Sequence, residues 1–253
     1  MEELILIDGN SLLFKAFYAT SYTGNYMVNR NGIPTNGVYG FARMVDKILD
    51  NNPKYVIVAF DYGKKTFRNE LLDTYKAQRK ETPEELIPQF SLAREYLTAH
   101  NITWYEVEGF EGDDIIGTLV DFGEKNNLKV SVYTGDKDAF QLISPQTTIY
   151  RTIKGVTELD IYNEQTLLDK YGLKPDQIRD FFIILRDVPL DVDLKKAEYE
   201  GYDYDTLKSF YETYDMNSLI KSMTIEAAPK KELKLEIVDH MPEITKDSAV
   251  YVS

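Results

Sequence analysis

Cysteine is absent from this 253-residue chain, and histidine occurs only as His100 and His240. Disulfide scaffolds and thiolate metal sites are therefore excluded, and a histidine-built zinc site is not expected. Long apolar runs are missing too, with none near the roughly 20 residues that a membrane helix needs. The opening MEELILIDGN is acidic and lacks the basic region that starts a secretory leader. These absences point to a cytoplasmic protein with no membrane partner. Positive charge is scarce: 29 Lys and Arg face 42 Asp and Glu, a net charge of −13. As an average, that balance argues against a nucleic-acid partner. Internal repeats and low-complexity tracts are also lacking. What remains, 43% hydrophobic and 28% charged residues, suits one large globular domain with a smaller appendage.

Apolar runs alternate with helical patterns along the chain. LILID, YVIVAFD, ITWYEVEG and LKVSVYTG read as strands. SLLFKAFYA, GVYGFARMVDKILDNN, PEELIPQFSLAREYLTAHN, DDIIGTLVDFGEKNN, NEQTLLDKY and PDQIRDFFIILRD read as helices. Such alternation predicts an α/β fold with parallel strand pairing. After Val188 the sequence turns polar, Tyr-rich and locally helical, and the tail ends in two strand-like runs, LKLEIV and SAVYVS. The expected division is 1–187 for the α/β domain, 188–223 for a small helical appendage, and 224–253 for a linker and the opening of another domain. The nineteen tyrosines, Trp104, Met216 and Met223 are expected to pack.

Carboxylates recur where the strand-like runs stop. Asp8 follows LILI, Asp61 follows YVIVAF, and Glu111, Asp113 and Asp114 follow WYEVEGF. Asp136 and Asp138 follow VSVYTG, and would share a direction if that segment is extended. The carboxyl ends of parallel strands form one edge of a sheet, where open α/β folds place their sites. A single acid at such a place is as readily a helix N-cap as a ligand. Acids at successive strand ends point instead to a pocket for hard divalent cations, Mg²⁺ or Mn²⁺. Two such ions about 3.5–4 Å apart stabilise both the attacking and leaving oxygens of phosphodiester hydrolysis. That chemistry requires no Ser, Cys or His nucleophile.

The negative average hides a local reversal. Lys64, Lys65, Arg68, Lys76, Arg79 and Lys80 lie close together against only Glu70 and Asp73, with Phe67 and Tyr75 interleaved. The segment is either a solvated charged helix face or a phosphate-contacting stretch with stacking aromatics.

LILIDGNSLLFKAFYA, GVYGFARM, VIVAFD, FRNELLDTYKAQR, PEELIPQF, GFEGDDIIGTL and TGDKDAFQL, in order over residues 4–185, resemble the 5′-nuclease domain of bacterial DNA polymerase I, within the flap-endonuclease family. The resemblance implies a PIN-like α/β domain, its mostly parallel sheet flanked by helices, with a helical arch over a site for one or two Mg²⁺ or Mn²⁺ ions. It implies a monomeric 5′–3′ exonuclease and flap endonuclease of DNA replication and repair, acting on DNA with a 5′ end or flap and on RNA primers. Asp8, Asp61, Glu111, Asp113, Asp114, Asp136 and Asp138 match the family's carboxylate ligands. Arg68, Tyr75, Lys76 and Arg79 match the arch segment that grips the 5′ strand, with Lys80 beside them and Lys76 in the catalytic set. Lys15 stands where the family often has a basic residue facing the scissile phosphate.

One departure is specific. After PDQIRD the family runs into a GDxSDNxPGVxGIGxKTA-like stretch that supplies two further aspartates and a helix-hairpin-helix module. Here FFIILRDVPLDVDL stands instead. Loss of that block is expected to weaken a second metal and the grip on duplex DNA, reducing or altering turnover. Asp187 and Asp191 are near the right place but fit surface residues of a turn more simply. The stretches GYDYDTLKSFYETYDMNSLIKSM and LKLEIVDHMPEITKDSAVYVS resemble the segments downstream of the module in polymerase I. Three other readings compete: a non-catalytic nucleic-acid-binding domain, a truncated fragment, and a haloacid-dehalogenase-like phosphatase. The last needs a second Asp where this chain has Asn10.

Overall fold

The computed structural model describes residues 1–21, 26–63, 81–154, 156–178 and 183–226. Three apolar runs become central strands: β1 (Glu3–Asp8), β2 (Tyr55–Ala59) and β4 (Lys129–Thr134). Nearly every residue in them is buried, as expected of strands covered on both faces. The short β3 (Thr103–Tyr105) lies at one edge, and β5 (Thr147–Lys154) and β6 (Glu158–Tyr162) at the other. The order is β3-β2-β1-β4-β5-β6, parallel except for the final β5–β6 pair. The chain is therefore an α/β fold with a mixed, mostly parallel sheet, as its alternation predicts.

Alternate residues of the strands feed two cores. Ile5, Ile7, Val56 and Val58 pack with α1 (Gly9–Ser21), α2 (Asn36–Leu49) and α3 (Ile87–Ala99). Leu4, Leu6, Ile57, Val130 and Val132 pack on the other face with α4 (Gly112–Lys125). The next helices are α5 (Glu164–Tyr171), the short α6 (Leu194–Ala197), α7 (Tyr204–Thr213) and α8 (Asn217–Glu226). Leu207, Phe210, Tyr211, Met216, Leu219 and Met223 join the first core, so both methionines pack as expected. Among the described residues no helix is long and apolar enough to cross a membrane.

Several elements differ from expectation. The strand expected over ITWYEVEG stops at Tyr105, because a turn closes from Val107 to Phe110 with Gly109 at φ +84°. The α3 helix begins at Ile87 with Pro88 in its first turn, and a separate turn occupies the preceding residues. The β5–β6 hairpin had no counterpart in the strand pattern. The expected helix over PDQIRDFFIILRD is a single 3-10 turn, Pro175–Gln177, followed by an irregular strap from residue 183; residues 179–182 of that stretch lie outside the described residues. Side chains take the amides a helix would use. Ile184 N donates to Gln141 Oε1 at 2.9 Å, Leu185 N to Asp114 Oδ1 at 2.9 Å, and Val188 N to Thr118 Oγ1 at 3.0 Å. The runs LKLEIV and SAVYVS lie outside the described residues.

The strap crosses α4 at Gly117. A Cβ built there would stand 2.4 Å from the Leu185 carbonyl oxygen and 2.6 Å from Ile184 Cγ2. Gly to Ala in a helix interior ordinarily stabilises by about 1 kcal/mol. At this position the sign should reverse. Gly117→Ala is expected to destabilise by about 1–3 kcal/mol, the usual scale of overpacking, measured as a lower urea midpoint. A raised midpoint would mean that the strap does not lie against α4.

Candidate metal centre

The register of the parallel strands gathers the acids. Asp8 is the last residue of β1 and pairs with Ala59 of β2, two residues before Asp61. Thr134 ends β4 beside β1, and Asp136 follows it. Glu111 precedes the first turn of α4, which carries Asp113 and Asp114. All these positions lie at the carboxyl edge of the sheet.

Backbone and side-chain donors fix the individual carboxylates. Asp8 is buried; its Oδ1 accepts from Ser11 N at 2.8 Å and its Oδ2 from Thr134 Oγ1 at 2.7 Å. The N-cap role considered for a lone acid is thus real here, since Asp8 caps α1. Asp61 accepts from Gly112 N at 2.6 Å and from Asn10 Nδ2 at 2.7 Å, which ties β2 to the starts of α4 and α1. A Cβ at Gly112 would come within 3.2 Å of Asp61 Oδ1. Asp136 Oδ1 accepts from the N–H of Asp138, the first residue of the 3-10 turn Asp138–Leu142, at 3.0 Å. That segment is a turn, not extended, so the side chains of Asp136 and Asp138 do not share a direction by strand alternation. Asp114 is fully buried. It accepts from Glu111 N at 3.3 Å and from Leu185 N at 2.9 Å, joining the start of α4 to the strap.

Electrostatics shows which acids confront one another. Burial pushes the Asp113 carboxyl well above its usual range, and Asp8, Asp136, Asp61 and Glu111 push it further. Burial also raises Asp8, to about 6, against the hydrogen bonds from Ser11 and Thr134, while Asp61 and Asp136 add to the rise. Five carboxylates therefore press on one another at a single edge. Among the described residues no three acidic or imidazole groups are already drawn to ligating distance of one ion. The donor set is nonetheless all hard oxygen, and its mutual repulsion is what a divalent cation would relieve. Asp8, Asp61, Glu111, Asp113 and Asp136 fit such an ion, whereas both carboxylate oxygens of Asp114 accept from backbone amides. Asp187 is exposed on the strap, and the Asp191 carbonyl accepts from Tyr105 Oη at 3.4 Å.

Lys15, on α1, donates to the Thr152 carbonyl and, at 2.8 Å, to Thr152 Oγ1. Its ammonium is depressed by burial and by Arg151, and held up by Asp8. Arg68, Tyr75, Lys76, Arg79 and Lys80 lie outside the described residues, as do Lys64, Lys65 and Phe67. The site also uses residues that the strand-end pattern does not mark: Asn10, Ser11, Gly112, Thr134 and Thr152. Only Ser11 carried a local signal, the Asp-x-x-Ser spacing of a capped helix start. His100, without metal context in the sequence, is buried between aromatics, with Nδ1 3.0 Å from Tyr199 Oη and Nε2 3.3 Å from Asp46 Oδ1.

Residues 3–172 match the family described as 5′-3′ exonuclease, N-terminal resolvase-like domain. The chain belongs to this family. It is 46% identical over 180 residues to DNA polymerase I of Bacillus caldotenax, covering 71% of this chain and 20% of that protein. It is 37% identical to DNA polymerase I of Bacillus subtilis over 253 residues, all of this chain and 28% of that protein. A 5′-3′ exonuclease of Bacillus subtilis is 38% identical over 186 residues, 73% of this chain and 62% of that protein. The chain thus spans only 20–28% of these two polymerases. Among solved structures, T5 5′-exonuclease with divalent zinc bound superposes with a TM-score of 0.52 at 18% identity. So does a bacteriophage T5 flap endonuclease complex with DNA and metal ions, also at 18% identity. Each match covers 70% of this chain and 64% of the other, and supports the fold.

The two neighbouring aspartates of α4 should behave oppositely. Asp8, raised from 3.8 to about 6, keeps its proton in the folded state between those values, so its share of stability falls as pH rises through that window. In full this is about 3 kcal/mol; Asp113 acts in the same direction. Asp113→Asn should therefore melt higher than wild type in EDTA, by a margin that grows from pH 4 to pH 7. Asp114→Asn loses an acceptor for a buried amide and should cost about 1–3 kcal/mol. Calorimetry on both variants checks the contrast; a destabilised Asp113→Asn at pH 7 would contradict it.

Proposed function

We propose that the chain is the nuclease part of a DNA polymerase I-like protein, a divalent-metal-dependent 5′–3′ exonuclease and flap endonuclease. The observation that carries this reading is the confrontation of Asp8, Asp61, Glu111, Asp113 and Asp136 at the carboxyl edge, within a chain of the 5′-3′ exonuclease family. The substrate is DNA with a 5′ end or flap, and RNA primers on DNA fall in the same class. A PIN-like architecture, with the 64–80 segment as a helical arch holding the 5′ strand, suits the basic residues of that segment and the likeness to the T5 enzymes.

The carboxylates would hold Mg²⁺ or Mn²⁺, which when bound supplies Lewis-acid stabilisation of the phosphodiester and activation of water. The chain's own residues set the stage. Ser11, Thr134, Asn10 and the Gly112 amide fix the carboxylates of Asp8 and Asp61 in place. Asp114 and the strap hold the first turn of α4, and with it Asp113 and Glu111. Lys15 places positive charge near Asp8, on the side of β5. Without the two aspartates of the missing block, the second ion is held more weakly and turnover falls below that of the longer relatives.

A 5′-flap substrate incubated with the protein in Mg²⁺, Mn²⁺ or EDTA tests the reading. Cleavage is expected in both metals and none in EDTA. Asp113→Asn should lose about 100-fold or more, as when a group stabilising transition-state charge is removed. DNA binding with no product in either metal would favour the non-catalytic reading. Turnover equal to that of the longer relatives would remove the role given to the missing block.

A further inference from the structure

We infer that a second nucleic-acid surface, built from Lys137, Arg151, Lys170 and Tyr171, flanks the acid pocket on the side of β5, β6 and α5. It rests on the proposed nuclease reading and extends the binding surface of the same site. The ligand is the phosphodiester backbone of an unpaired strand, with one base against the Tyr171 ring.

The geometry starts at the pocket. Lys137 lies between Asp136 and Asp138, and its Nζ stands 5.9 Å from the centre of the Tyr171 ring. Arg151 pairs with Thr134 across β4 and β5, and its Nε donates to the carbonyl of Gly135, next to Asp136. Lys170 Nζ donates to Tyr162 Oη at 2.6 Å and reaches Asp160 at 3.0 Å. The Tyr162 and Tyr171 rings lie 6.1 Å apart. One patch thus holds three cations and two tyrosines.

Arg151 and Lys170 are paired differently from the cations of other surface ion pairs. Lys47 meets Asp50, and Arg94 meets Glu106, one cation to one acid. Here Arg151, at 4.0 Å, and Lys170 share the single carboxylate of Asp160. The Tyr171 hydroxyl is depressed by its hydrogen bond with Tyr162 and by Lys137, Lys170 and Arg151, which shows that the three cations act on one spot. Tyr171 is 40% exposed, so its ring is open to a base. In a chain of net charge −13, such a surface beside the acids suits a polyanion that must reach them.

Fluorescence anisotropy with a labelled 5′-flap DNA in EDTA, over a salt series, tests this without turnover. Each lost phosphate contact should lower the slope of log affinity against log salt by about 0.7–0.9. Lys137→Gln with Arg151→Gln and Lys170→Gln should therefore lower it by roughly 2, and Arg151→Gln alone by one contact should the triple variant fold poorly. Tyr171→Ala should weaken binding roughly tenfold, and Tyr171→Phe should not. Lys208→Gln on α7, equal in charge change to one patch substitution, serves as the control. Slopes equal to the control in variants of a protein that binds DNA would overturn the surface and leave the nuclease reading intact. Loss of DNA binding by the wild type itself would overturn both. Displacement of DNA by polyglutamate with no dependence on Tyr171 would assign the patch to an acidic protein and overturn the proposal.

Discussion

Repulsion among carboxylates at one sheet edge is the constraint around which this molecule is organised. Parallel pairing brings Asp8, Asp61 and Asp136 to that edge, and the start of α4 adds Glu111 and Asp113. The sheet ladder and the two apolar cores fix the elements that carry them. Two of them are also held by a shell of donors: Asp8 by the Ser11 amide and the Thr134 hydroxyl, Asp61 by the Gly112 amide and the Asn10 side chain. Hydrogen bonds of this kind favour the charged forms, while burial and proximity favour the neutral ones. In Asp8 and Asp113 burial and proximity win, which leaves a strained site in the absence of a counter-ion. Such a preorganised site gains from a divalent cation what its acids lose by proximity.

The same shell connects the site to the rest of the chain. Asp114 faces away from the pair of roles its neighbour plays, accepting from both Glu111 N and Leu185 N. The strap it anchors continues past Thr118 and Tyr105 to a bridge between Tyr55 and Glu198. Beyond it, α7 and α8 pack on the core shared by α2 and α3. Residues 189–223 are therefore integrated with the α/β body through shared apolar side chains and main-chain contacts.

The central strands were legible because β1, β2 and β4 are buried on both faces and are rich in apolar and β-branched residues. The acids were legible because each such run ends in one. The β5–β6 hairpin was not, since TTIYRTIK mixes exposed and buried positions at the sheet edge. The strap was misread because FFIILRD has helical spacing, yet the amides of Ile184, Leu185 and Val188 are taken by side chains distant in sequence. Nor could spacing separate Asp113 from Asp114: adjacent residues in one helical turn point in different directions, one toward the acids and one toward the strap. Lys15 was marked as basic, but its partner Thr152 belongs to the strand that the pattern hid.

The central claim is that the five confronting carboxylates form a divalent-cation site. Counting Mn²⁺ bound to the metal-free protein at pH 7.5, by electron paramagnetic resonance titration, tests it most directly. At least one ion per chain is expected, with the site lost or greatly weakened in Asp113→Asn and retained in Asp114→Asn. No saturable binding by the wild type, or equal binding by Asp113→Asn, would contradict it.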